Sequence, residues 1–102
     1  MVNEKLRKAI AEYYMGYEED EQPLLFIDQA YDNSIIGFTD DGRAIYDYQK
    51  MVEELMQDDN CSMEDAMEWI NYNTIRSLPY AGERAPIIVD ISIEELLERY
   101  GE

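Results

Sequence analysis

The sequence predicts an α+β domain, with a small antiparallel sheet containing a β-hairpin and about four helices covering it on one face. Three observations carry this. Apolar residues recur at spacings of three and four in four separate segments, as amphipathic helices require. Asp40-Asp41-Gly42 lies between two short strand-like runs, as a hairpin requires. Ile87-Ile88-Val89-Asp90-Ile91 follows Pro86 and is rich in branched residues, which suit a strand. A chain of 102 residues fits a single domain, with residues 1–23 as an N-terminal helix and acidic linker and 24–102 as the main body.

The elements follow in order. Leu6, Ile10, Tyr13, Tyr14 and Tyr17 share one side of a helix over residues 2–17, which Gly16 loosens or ends. Glu18 to Pro23 reads as an acidic linker stopped by proline. Leu24 to Ile27 reads as a short strand. Residues 34–39 and 43–46 form the hairpin, and Gly42 supplies the positive φ of its turn. Asp47 caps a helix whose buried face is Tyr48, Met51, Val52 and Leu55. That helix frays at Asp58 to Asn60, and Ser62 starts the next. Met63, Ala66, Met67 and Ile70 form the buried stripe of the latter, extended by Trp69 and Tyr72. Residues 76–84, with Pro79 and Gly82, read as a loop. The strand over 87–91 places Ile87, Val89 and Ile91 on one face. Ser92 and Glu95 form a capping box for the last helix, with Ile93, Leu96, Leu97 and Tyr100 as its apolar stripe.

Charge narrows the function. Against 24 acids stand 8 Lys and Arg, so the net charge is −16, while a hydrophobic content of 46% is too high for a disordered acidic tail. Such a surface repels phosphate backbones and anionic membranes, so neither nucleic acid nor membrane is an expected direct partner. No stretch approaches a membrane span, and MVNEKLRKAI is too charged for a signal peptide. One cysteine forms no internal disulfide, so the reducing cytoplasm is the expected compartment.

Chemistry finds little purchase. Calcium loops begun at Asp28 or Asp58 put Asn33 or Met63 where the sharp turn needs glycine. Asp40-Asp41-Gly42 could hold magnesium, but a turn already explains all three residues. Cys61 lacks any histidine to activate it and has Asp58, Asp59 and Glu64 as neighbours. Among carboxylates, Asp28, Asp47 and Asp90 have apolar neighbours, and they make no evident acid–base pair. The expectation is therefore no catalytic residue, no metal site and no cofactor.

Two features remain. Glu54–Asp58, Glu64–Glu68 and Glu94–Glu98 are like-charge pairs four residues apart, each costing its helix about 0.2–0.5 kcal/mol. A purely structural sequence could place lysine at one member of each. The candidate binding acids are Glu53, Glu54, Asp58 and Asp59 on the second helix, Glu64, Asp65 and Glu68 on the third, and Glu94, Glu95 and Glu98 on the last. At one charge per ~1.7 Å, duplex DNA matches sixteen charges over ~27 Å, about the width of such a domain. The second feature is nine tyrosines. Tyr72, Tyr80 and Tyr31, with Arg76 and Arg84, could form a binding patch, whereas Tyr14, Tyr46 and Tyr48 are expected to fill the core.

The runs Asp41-Gly42-Arg43-Ala44-Ile45-Tyr46-Asp47-Tyr48, Asn73-Thr74-Ile75-Arg76 and Leu78-Pro79-Tyr80, within residues 24–90, resemble small acidic proteins encoded by phages and other mobile elements of Gram-positive and gut bacteria. No catalytic motif comes with the resemblance. It implies a host bacterial cell and an anti-defence context, where such proteins block CRISPR or restriction enzymes. The favoured expectation is an inhibitor of a nucleic-acid-binding bacterial protein, acting as a DNA mimic toward its basic surface. The alternatives are a scaffold or accessory module using Tyr72, Arg76 and Tyr80, with a homodimer as one form, and a small metal-dependent enzyme.

Overall fold

Caps and turn residues set the element boundaries. The computed structural model describes residues 4–18, 22–26, 29–80 and 82–101. Helix α1 spans Glu4–Tyr13, and a 3-10 helix spans Gln29–Ser34. Strands β1 (Ile35–Phe38) and β2 (Ala44–Asp47) form the expected hairpin. Helices α2 (Tyr48–Asp59) and α3 (Met63–Trp69) follow. A π-helical turn over Ile70–Thr74 and a 3-10 helix over Ile75–Tyr80 continue α3. Strand β3 (Ile87–Val89) and helix α4 (Ile93–Tyr100) complete the chain.

The fold is α+β, but its sheet is mixed rather than antiparallel. The strand order is β1-β2-β3, with β1 antiparallel and β3 parallel to the central β2. A parallel pair needs a long crossover. Here α2, α3 and the turns after them fill the chain between Asp47 and Ile87. Leu24–Phe26 is irregular, not a strand, and Ile27 lies outside the described residues. The Phe26 N–H donates to the Tyr46 Oη at 3.1 Å, and Phe26 stacks on the Tyr46 ring at 4.5 Å. This side-chain partner replaces a ladder partner, and β1 and β3 already hold both edges of β2.

Caps behave as read. Asp47 Oδ1 accepts from the N–H groups of Gln49 and Lys50 at 2.9 and 3.3 Å. Ser62 Oγ accepts from the Asp65 N–H, and Ser92 Oγ from the Glu95 N–H, both at 3.1 Å. Asn60, left-handed at φ 51°, stops α2. Helix α1 ends earlier than expected, because a turn starts at Tyr14 and Gly16 takes φ +95°, and residues 2 and 3 of the expected helix lie outside the described residues. The expected loop over 76–84 is helical as far as Tyr80, where Ser77 Oγ donates to the Thr74 carbonyl at 2.7 Å. The last strand stops at Val89 and is half-buried throughout, without the alternation read from Ile87 to Ile91.

The core lies between α2, the first 3-10 helix and β2. It contains Tyr31, Ala44, Tyr46, Tyr48, Met51, Val52, Leu55, Ala66 and Ile70. The expected face of α2 is buried in full. Of the expected α3 stripe only Ala66 and Ile70 are buried, while Met63, Met67, Trp69 and Tyr72 are exposed. The stripe of α4 is real but exposed along its length, with Ile93, Leu96, Leu97 and Tyr100 all open to solvent. Neither α1 nor α4 has a buried residue, and the radius of gyration is 14.2 Å, above the ~13 Å typical of this length. Helix α1 is held by Arg7, which pairs bidentately with buried Asp32 (2.6 and 2.8 Å), and by Tyr14, just past its end, edge-on against Phe38.

Burial raises the pKa of Tyr46 to about 12, with the Asp32 charge adding to the rise and the Phe26 N–H opposing it. Burial also raises Tyr14 and Tyr48. A tyrosine that ionises later in the folded state favours folding below its unfolded pKa of about 10. That contribution disappears as pH rises through the folded value. Urea midpoints are therefore expected to be insensitive to tyrosine ionisation up to about pH 9.5 and to fall steeply from pH 10 to 12. Tyr46→Phe should flatten that fall.

Candidate protein-binding surface

The binding residues predicted from sequence fall on neighbouring elements. Helix α2 packs against α3. It approaches α4 through Arg99, whose Nη2 lies 3.8 Å from Glu53 Oε1 and 2.8 Å from Glu95 Oε1. Glu95 therefore spends its carboxylate on Arg99, four residues on, rather than on the capping box expected with Ser92. Arg99 partly neutralises Glu53 and Glu95. Glu54 is half-buried, and Asp58, Asp59, Glu64, Asp65, Glu68, Glu94 and Glu98 are exposed.

Charge is uneven by element, and outside α1–α4 the chain carries a further twelve acids against three bases. Helices α2, α3 and α4 together hold ten acids against two bases, Lys50 and Arg99. Helix α1 holds two acids against three bases, Lys5, Arg7 and Lys8. It leans on β1 through Phe38, whereas α4 follows β3 at the opposite edge of the sheet. Residues 19–21 of the acidic linker lie outside the described residues, as does Asp28.

The tyrosine patch is assembled only in part. The Arg76 guanidinium sits 5.4 Å from the centre of the Tyr72 ring, a cation–π distance, and Tyr80 is 89% exposed. Tyr31 does not belong there, being 1% exposed and packed against Phe26. Arg84 lies apart as well, in a cleft with Tyr13, Tyr14, Tyr17 and the hairpin turn. Tyr14, Tyr46 and Tyr48 fill the core as expected.

Cys61 is half-buried before the Ser62 cap, its Sγ 3.9 Å from the Leu55 carbonyl. Asp40, Asp41 and Gly42 form the hairpin turn, with Gly42 at φ +80° and its N–H on the Thr39 carbonyl. Thr39 Oγ1 donates to Asp41 and accepts from the Arg43 N–H. Among the described residues no three acids or thiols converge to hold a metal ion, and no helix is long and apolar enough to cross a membrane.

One feature was missed. Trp69, assigned to the core from sequence, is 53% exposed and borders an apolar groove of about 480 Å³. Its other side faces a notch shared by Asp65, Glu68, Tyr72 and Asn73. The signal was present, since residues 65, 68, 69, 72 and 73 follow the helical spacing as a second, outward stripe. Comparison with protein-family models, curated proteins and solved structures returns no significant match.

Proposed function

We propose that this protein is an inhibitor that occupies the basic, nucleic-acid-binding surface of a bacterial protein. The observation that carries the reading is the acid density of α2–α4, ten acids against two bases, beside a net positive α1. Like-charge pairs on all three acidic helices cost stability, which a merely soluble surface would not require. Those three helices carry a net charge of −8, that of ~14 Å of duplex, and a body of 41 × 33 × 25 Å is long enough to cover it. The host bacterial cytoplasm, and CRISPR or restriction proteins as targets, follow from the resemblance to mobile-element proteins. The experiment is a gel-shift competition against a restriction or CRISPR effector. At about 50 mM salt the protein should displace duplex DNA, and at about 200 mM far more of it should be needed. No displacement at low salt, across effectors of both kinds, sinks the reading.

A second reading, an accessory module that binds through Tyr72, Arg76 and Tyr80, is favoured by the Arg76–Tyr72 stack and the exposure of Tyr80. Under it Tyr80→Ala weakens binding while reversal of helix acids does not.

A further inference from the structure

The groove beside Trp69 is lined by Leu24, Leu25, Phe26, Leu78 and Pro86, with Asn73, Thr74 and Ser77 as its polar edge. Its volume is within the range of sites that hold a few side chains. Trp69 and Asn73 also line the notch that Asp65 and Glu68 make acidic, so one indole separates apolar wall from carboxylates. A π-helical turn begins at the next residue, a local irregularity that recurs at functional sites. Asn73 Nδ2 donates to the Trp69 carbonyl at 3.2 Å, which fixes the amide beside the ring. The chain already places a guanidinium on the neighbouring Tyr72 ring.

We propose that Trp69 marks a specificity pocket for an arginine flanked by apolar residues on the partner polypeptide. The guanidinium stacks on the indole and meets Asp65 and Glu68, and the apolar flank enters the groove between Leu25 and Leu78. Charge complementarity selects this occupant, since a net charge of −16 and the two carboxylates of the adjoining notch disfavour an acidic segment. Arginine suits the site better than lysine because its planar, weakly hydrated head stacks on rings. The proposal rests on the cationic partner inferred above and adds which part of that partner is read.

Trp69 is the only tryptophan of the chain, so its emission reports this site alone. The full chain is titrated with acetyl-Leu-Leu-Arg-Arg-amide, with its citrulline counterpart and with tetra-arginine. The leucine–arginine peptide should saturate at one per chain and move the emission to shorter wavelength. The citrulline peptide should bind at least roughly tenfold more weakly, and tetra-arginine, which offers a guanidinium but no apolar flank, should move the wavelength much less. Calorimetry on Trp69→Ala and on Glu68→Lys, both at exposed positions, should show roughly tenfold losses for the leucine–arginine peptide. If the leucine–arginine peptide and tetra-arginine bind alike without a spectral shift, the pocket is refuted and the acidic surface survives. If no arginine peptide binds at low salt, both readings fall.

Discussion

Arg7→Ala is expected to lower the free energy of unfolding by about 2–3 kcal/mol and to detach α1. Asp32 is fully buried, and both of its carboxylate oxygens are held by the Arg7 guanidinium. Removing one member of a buried pair strands the other charge, which typically costs about 3–5 kcal/mol. Arg7 is itself 31% exposed, so water reaches the site and places the cost at or below the lower end of that range. Helix α1 has no buried residue of its own, and beyond this pair it is steadied by Tyr14, just past its end, against Phe38. Urea unfolding gives the loss, and far-UV circular dichroism gives the missing helix. Asp32→Asn on top of Arg7→Ala should restore part of the stability, because the amide carries no charge to strand. A loss under about 0.5 kcal/mol would show that the pair is merely a surface contact.

Replacing Asp58, Glu68 and Glu98 together by lysine should move stability and binding in opposite directions. Each substitution turns a repelling pair into Glu followed by Lys four residues on, the better orientation on a helix. Lysine at 58 and 98 also sits in the last turn of α2 and of α4, where the backbone dipole favours a cation. The variant should gain about 1–2 kcal/mol of stability. Each change removes two negative units, taking the net charge from −16 to −10. Association with a basic target should slow by roughly 10- to 100-fold at low salt, and the difference should shrink as salt rises. Unchanged binding by this variant, together with weakened binding by Tyr80→Ala, would instead favour the accessory-module reading.

Local chemistry made much of the fold readable. Asp47, Ser62 and Ser92 announced helix starts because a short oxygen-bearing side chain is what orphan N–H groups need. Gly42 announced the hairpin turn. The direction of β3 was not readable, because a branched apolar run pairs equally well either way and only the long crossover decides. Periodicity also gave the α4 stripe without saying whether another element would cover it. At Trp69 hydrophobicity misled, because an indole one residue before buried Ile70 lies about 100° round the helix from it. The acids were visible one by one, whereas the sharing of Arg99 by Glu53 and Glu95 depends on where the fold puts α4.

The sharpest test of the acidic surface uses hexa-arginine as a stand-in for a basic cleft, titrated into the isotopically labelled chain while amide resonances are followed by NMR. Shifts concentrated on α2, α3 and α4, weakening together as salt is added, are the expected result. Shifts spread alike over α1, the hairpin turn at Asp40–Gly42 and the three acidic helices would contradict it.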